Sequence, residues 1–234
     1  MPATPVNTVF TNMEIKGFLF DVDGVLYDSM PQHAKSWAQA FGEEGIKVPA
    51  KHVYLCEGMP EVEAAKYLAA AVGARLARKI LAKVVERKRD LYNGYKNPEF
   101  VPGAGELLAY LRKHKIRVCL VTGSHQLKTI KNIKKDFALK RSEIVTGKDV
   151  SRGKPHPEPF LKALKKIKLP PASVLAVENA PLGIESAKRA GLKCAVLKTG
   201  LIAKRDLKKC GADWVFKDCR ELLQAIKSGD LLKA

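Results

Sequence analysis

Acidic residues are in short supply in this chain, cysteines are few, and long apolar runs are missing. No uncharged apolar stretch reaches the ~18–20 residues needed to cross a bilayer, which argues against a membrane span. The opening Met-Pro-Ala-Thr-Pro-Val-Asn-Thr has neither the basic start nor the continuous apolar core of a secretory signal, and it lacks the arginines of a transit peptide. Cys56, Cys119, Cys194, Cys210 and Cys219 are odd in number and include no CxxC, so neither a disulfide framework nor a zinc site is expected. Cys119 and Cys194 fall inside apolar runs, where cysteine acts as a small hydrophobe. The expectation is a cytoplasmic protein.

What is abundant is positive charge: 42 Lys and Arg face 24 Asp and Glu, a net +18. Such a balance invites polyanions or phosphorylated small molecules. The cations, however, are spread along the chain at helical spacings. Arg75, Arg78, Lys79, Lys83 and Arg87 form one such series, and Lys128, Lys131, Lys134 and Lys135 another, as on solvated helix faces. With aromatics at 7% there is no stacking platform, zinc finger or helix-turn-helix signature, so nucleic acid is not expected as a partner. The 234 residues, 46% of them hydrophobic, fit one large domain or a domain with an insertion.

Short runs rich in Val, Leu and Ile at 17–21, 117–122, 143–146, 174–178, 193–197 and 214–216 read as strands. Helical patterns near 104–114, 126–136, 158–167, 181–190, 202–210 and 218–226 separate them. Continuous apolar strands alternating with helices predict an α/β fold, a doubly wound parallel sheet of Rossmann-like type covered on both faces. Residues 29–97 break the alternation. They carry three helical patterns, near 31–44, 61–72 and 74–92, and no convincing strand, far more chain than a crossover needs. The expected organisation is a core of residues 1–28 and 98–234, with residues 29–97 inserted as a small helical domain.

Ligands of doubly wound sheets bind beyond the carboxyl ends of the strands. The first strand ends in Asp21-Val22-Asp23-Gly24-Val25, and extended geometry turns residues two apart to the same side. A calcium loop would require further oxygen ligands and a closing Glu at position twelve, where this chain has Gln32. Thr122-Gly123-Ser124 supplies hydroxyls and a glycine suited to phosphate oxygens near a helix start. Lys154 precedes a proline-stiffened helix start, and Glu178-Asn179-Ala180-Pro181 ends another strand with an acid and an amide. Each segment alone reads equally well as a helix cap or a surface residue. Their joint occurrence, in this order at four strand ends, is specific.

In these segments the sequence resembles the haloacid dehalogenase superfamily, in its phosphatase and β-phosphoglucomutase-like branch with a helical cap of C1 type. The resemblance runs from Lys16 to Phe216. It implies that Asp21 attacks a phosphoryl group to form an aspartyl phosphate, that Asp23 serves as acid and then base, and that Thr122 and Lys154 hold the phosphoryl oxygens. It implies Mg²⁺ bound by Asp21, Asp23, Glu178 and Asn179. Gly123, Ser124, His33 and His125 are candidates to contact substrate. An acid at Asp23 favours C–O–P or P–O–P cleavage, because a departing halide needs no proton.

Two departures matter. Many relatives carry a second acid where this chain has Asn179, and Glu57, in the turn Cys56-Glu57-Gly58-Met59-Pro60-Glu61, could replace it at the metal; otherwise it is a solvated surface acid. Mutase-like relatives carry an arginine in that turn, and Glu61 stands there instead. The expected activity is a Mg²⁺-dependent phosphohydrolase acting on a small phosphorylated metabolite. The alternatives are an inorganic pyrophosphatase, a sugar-phosphate mutase, or a non-catalytic polyanion binder. The sequence sets no oligomeric state and is compatible with a monomer.

Overall fold

The computed structural model describes residues 15–123 and 127–232. Six segments form one sheet: β1 (Gly17–Phe20), β2 (Arg117–Val121), β3 (Ile144–Val145), β4 (Val174–Glu178), β5 (Lys193–Leu197) and β6 (Trp214–Phe216). Every pairing is parallel and the order is β3-β2-β1-β4-β5-β6. In the central strand, Phe20 lies opposite Leu120 on one side and Val177 on the other.

The helices, in chain order, are α1 (Met30–Gly42), α2 (Ala50–Leu55), α3 (Glu61–Ala71), α4 (Arg78–Gly94), α5 (Ala104–Lys113), α6 (Leu127–Asp136), α7 (Glu158–Ile167), α8 (Pro181–Arg189), α9 (Lys204–Lys209) and α10 (Cys219–Ser228). Strand alternation divides the core into two layers. Leu19, Cys119, Ala176 and Cys194 pack with Phe160 of α7, Ile184 of α8 and Leu207 of α9. Phe18, Phe20, Leu120 and Val177 pack with Leu107 of α5, Ile133 of α6 and Leu222 of α10. With both faces covered, the central strands β1 and β4 have no solvent side, which is why they are apolar without alternation.

The chain steps outward from β1 through β2 to β3, then returns to lay β4 on the other flank of β1. That reversal opens a crevice beyond the carboxyl ends of β1 and β4. Between β1 and α5 the chain builds α1 to α4, which contact one another in the pairs α1–α4, α1–α2, α3–α4 and α2–α3. Their apolar faces, including Trp37, Phe41, Leu68 and Val84, continue into the layer containing Leu19. The two strands of chain leading into and out of this segment are stitched together. Asp28 N–H donates to Glu99 O at 2.8 Å and Val101 N–H to Leu26 O at 2.9 Å.

The segments at 174–178, 193–197 and 214–216 match β4, β5 and β6, while the expected strand at 143–146 shortens to two residues. α2 was not among the expected helices: six residues starting after Pro49 are too few for a 3.6-residue period to register. The pattern at 74–92 begins only at Arg78 and runs on to Gly94.

Candidate active site

Asp21 follows directly on β1, and its N–H donates to Val177 O at 2.9 Å, carrying the β1–β4 ladder one residue further. The chain then turns tightly, with Leu26 and Tyr27 N–H both donating to Val22 O. Gly24 takes φ +73° there, and a Cβ at that position would lie 2.0 Å from Asn179 Nδ2, so both conformation and space demand glycine. The turn brings Asp23 to the same cavity as Asp21.

Lys154 reaches this point from the loop before α7. Its Nζ lies 2.5 Å from Asp21 Oδ1 and 2.6 Å from Glu178 Oε1, and all three side chains are buried. The loop is pinned from several sides. The Glu158 carboxylate accepts the N–H groups of Ser151 and Arg152 at 2.9 Å each, and the Ser186 hydroxyl donates to His156 O at 2.6 Å. Glu178 ends β4, and Gly183 of α8 leaves room for it: a Cβ there would lie 2.1 Å from the Glu178 carboxyl carbon. Thr122 follows β2, buried, with its N–H on Val145 O at 2.9 Å.

The helical segment contributes the opposite wall. Asn179 Nδ2 donates to Glu57 Oε2 at 2.9 Å, so the turn between α2 and α3 touches the end of β4. Asp23 Oδ1 accepts the Ser29 hydroxyl at 2.5 Å and lies 3.4 Å from His33 Nε2. The cavity, about 120 Å³, is lined by Asp21 and Asp23 on one side and by His33, Trp37, Lys88 and Tyr92 on the other. Lys88 is buried, 2.9 Å from Glu61 Oε1 and 5.3 Å from the ring centroids of both Trp37 and Tyr92. Arg89 binds the second Glu61 oxygen at 2.5 Å.

The structure therefore brings together Asp21, Asp23, Glu57, Lys154, Glu178 and Asn179, with Thr122, Gly123 and His33 beside them. Ser124 and His125 lie outside the described residues. Lys88 was not foreseen. Its signal is a lysine on the apolar stripe of α4, four residues after Val84 and three after Val85, where a solvated face would not put it.

The local charges shape one another. Burial pushes the Asp21 carboxyl up to about 8; Lys154 opposes this, and Glu178 and Asp23 reinforce it. Burial likewise raises Glu57 well above the carboxylate range, helped by the negative Asp21, Glu178 and Asp23. At Asp23 burial is outweighed by the His33 and Ser29 hydrogen bonds and by Lys88, which bring it down to about 2. His33 is itself lowered, by burial and by Lys88, so it is neutral near pH 7 and acts on Asp23 as a hydrogen-bond donor. For Lys154 burial disfavours the charge, but Asp21 and Glu178 outweigh it and keep the ammonium protonated.

Among the described residues, no three carboxylate, imidazole or thiolate groups stand close enough to cage a metal ion by themselves. The donor set nonetheless fits a hard divalent cation that keeps several waters, as Mg²⁺ does. Two buried oxygens, Glu57 Oε1 and Asn179 Oδ1, have no hydrogen-bond partner. They sit together with the carboxylates whose mutual repulsion raises Asp21 and Glu57. A cation there would satisfy the oxygens and offset the repulsion.

A sequence profile for haloacid dehalogenase-like hydrolases matches residues 18–197. The chain is 29% identical to validoxylamine A 7'-phosphate phosphatase of Streptomyces hygroscopicus subsp. limoneus, across 87% of this chain and 94% of that protein. It is 31% identical to glycerol-1-phosphate phosphohydrolase 1 of Saccharomyces cerevisiae, across 92% of this chain and 86% of that protein. Among solved structures, a Bacteroides vulgatus protein assigned by name only as a β-phosphoglucomutase superposes with a TM-score of 0.84 at 29% identity, covering 95% of this chain and 91% of its own.

Proposed function

We propose that this chain, which belongs to the haloacid dehalogenase-like hydrolase family, is a Mg²⁺-dependent phosphatase of a small phosphorylated metabolite. The observation that carries this reading is the buried Asp21–Lys154–Glu178 chain at the β1–β4 crevice, with a second carboxylate, Asp23, held at its side by Ser29 and His33. Residues 1–28 and 98–234 form the catalytic core and residues 29–97 a cap whose Glu57 turn closes over it.

Asp21 attacks phosphorus in line, the bond from phosphorus to the leaving oxygen breaks, and an aspartyl phosphate results. Asp23 protonates the departing oxygen. It is ionised in the free protein, and the approach of an anionic substrate into a desolvated site raises its affinity for the proton it will donate. Once ionised again, Asp23 accepts a proton from water as the water attacks phosphorus, which frees Asp21 and inorganic phosphate. Thr122 and Lys154 hold the phosphoryl oxygens and balance their charge. Asp21, the Asp23 carbonyl, Glu178, Asn179 and Glu57 would hold Mg²⁺, which supplies positive charge that lets an anionic phosphoryl group approach the Asp21 carboxylate.

The leaving group meets His33, Trp37, Tyr92 and the Lys88–Glu61 pair, with Arg89 behind on the second Glu61 oxygen. A buried ammonium shared with one carboxylate suits the hydroxyls of a polyol. The test is phosphate release, with and without Mg²⁺, from pyrophosphate, phosphoglycolate, hexose and pentose phosphates and nucleotides, with Asp21→Asn as control. Release that requires both Mg²⁺ and Asp21 is expected; release unchanged in Asp21→Asn removes this reading.

A sugar-phosphate mutase is the second reading, favoured by the likeness to the Bacteroides vulgatus protein. Such an enzyme holds a bisphosphate in two orientations, and Glu61 stands against that. Isomer formation dependent on added bisphosphate, in place of free phosphate, would select it.

A further inference from the structure

A second cavity, of about 190 Å³, is lined by Thr122 and Lys154, with neither Asp21 nor Asp23 among its described lining residues. It is bounded by Thr146, Gly147, Val150, Ser151 and Gly153 of the core and by Gly58 and Pro60 of the helical segment. Its volume is roughly ten times what a single water needs. Its floor, at Thr122, Thr146 and Lys154, is buried, Val150 and Gly153 are half-buried, and Ser151 is exposed, so it runs from the phosphoryl-holding residues to the surface. Among the described residues the two cavities share only Gly58 and Gly123.

Charge distinguishes them. Asp21, Asp23, Glu57 and Glu61 line the first together with Lys88, whereas Lys154 is the one charged side chain among the described residues lining the second, accompanied by the hydroxyls of Thr122 and Ser151 and by Thr146, whose hydroxyl donates to Asp149. Exposed Lys148 and Arg152 flank the lining residues in sequence. Glycines let the cap turn approach the core closely at the junction, most tightly at Gly58. A Cβ at Gly58 would lie 2.9 Å from Lys154 Cδ, one at Gly153 3.3 Å from Pro60 Cδ, and one at Gly123 3.8 Å from Gly58 O.

We propose that the second cavity is the exit for inorganic phosphate, separate from the cavity that takes the leaving group, so that phosphate departs while the cap remains closed. The proposal rests on the phosphatase reading above. A phosphate freed from Asp21 is already held by Thr122 and Lys154, at the floor of this cavity. The way back through the first cavity would take it past four carboxylates and one ammonium, Lys88, whereas the described lining of the second carries the single positive charge of Lys154, with the Asp149 and Glu158 carboxylates behind it already bonded to Thr146 and Ser151.

Ser151→Trp tests this. Ser151 is exposed and its N–H bond to Glu158 is a backbone contact, so the fold and the Lys154 loop are retained. Leaving-group formation is followed by rapid quench in a single turnover, and phosphate release by stopped flow with a fluorescent phosphate sensor, with Ser151→Ala as the small control. In Ser151→Trp, leaving-group formation is expected to stay within about twofold of the wild type, while phosphate release slows about tenfold and lags behind it. Phosphate release at the wild-type rate in Ser151→Trp overturns the exit. So does a single-turnover rate that falls in parallel with release, because the substitution would then be acting on the chemistry. A wild-type protein that forms no leaving-group product from any substrate defeats the phosphatase reading itself, a result separate from either of these.

Discussion

At the scale of single residues the sharpest conflict of charge is at Glu57. The residue as a whole is half-buried, yet its Oε1 is out of water with no partner, and Asp21, Glu178 and Asp23 all raise the energy of its charge. Glu57→Gln keeps the shape and removes the carboxylate, so its effects should have opposite signs in the two states of the protein. The metal-free protein is expected to gain about 1 kcal/mol, since burial and the neighbouring carboxylates no longer oppose the ionisation of that group, which is ionised in the unfolded chain, seen as a higher Tm in chelator. Mg²⁺ affinity is expected to fall about tenfold, read by titration calorimetry. Unchanged Mg²⁺ affinity would return Glu57 to the role of a hydrogen-bond partner for Asn179. The variant also separates binding from stability, which an alanine substitution, by opening a gap between cap and core, would not.

At the scale of elements, α8 and the loop around Asp149 show local rules overruled by the site. Gly183 lies in the first turn of α8, where replacing glycine by alanine ordinarily stabilises a helix by about 0.5–1 kcal/mol. Here the new methyl would strike a buried carboxylate fixed by Lys154. Gly183→Ala is therefore expected to lose about 2 kcal/mol in denaturant unfolding and to lower activity sharply; a more stable, fully active variant would show that Glu178 can move aside. Asp149 accepts from Thr146 N–H and Oγ1 at 2.7 and 2.8 Å and pairs with Arg141 at 2.7 Å. Although burial opposes it, the Arg141 and Thr146 hydrogen bonds hold its carboxyl down at about 2. A depressed carboxyl stabilises the fold above its unfolded value near 4, and that contribution disappears as pH falls through about 2. Because Arg141 is half exposed, about 1 kcal/mol is a fair size after solvent screening. Asp149→Asn should lose that amount at pH 7 and show a shallower decline in stability between pH 4 and pH 2. Elements of this kind were legible in the sequence wherever their periodicity ran long enough. The strands β4 and β5 emerged at their observed limits because both faces impose the same apolar demand, and the half-buried edge strand β6 matched its expected limits as well. Three of the four motifs emerged at strand ends, after β1 and β2 and at the end of β4, while Lys154, expected at a strand end too, stands instead in the loop before α7, nine residues past β3. α2 was too short to show a period. Lys88 was hidden because two of its partners, Trp37 of α1 and Glu61 of α3, come from other helices that only the packing brings to α4.

At the scale of the whole molecule, the site and the surface carry opposite charge. The ionisable side chains named at the catalytic cavity are Asp21, Asp23, Glu57, Glu61 and Glu178 against Lys88, Arg89 and Lys154, a local excess of two negative charges when all are ionised. With +18 overall, the remainder of the chain carries roughly +20. A phosphorylated substrate is thus drawn by the molecule from a distance and repelled by the metal-free site close at hand. Salt acts on these two fields differently. The long-range attraction is screened once the Debye length, about 10 Å at 0.1 M, drops below the distance to the scattered surface cations, whereas the buried pairs are screened far less. Raising NaCl from about 20 to 500 mM at saturating Mg²⁺ should therefore lower kcat/KM for a dianionic substrate by about tenfold while leaving kcat within about twofold. A neutral-salt series using both chloride and acetate would separate screening from competition for the Lys154 site, since screening follows ionic strength alone. If kcat/KM stays flat across the series, the surface charge plays no part in substrate capture, and the ion-paired basic helix faces, such as Arg87 with Glu43 and Lys83 with Glu44, serve the solvated surface of the fold alone.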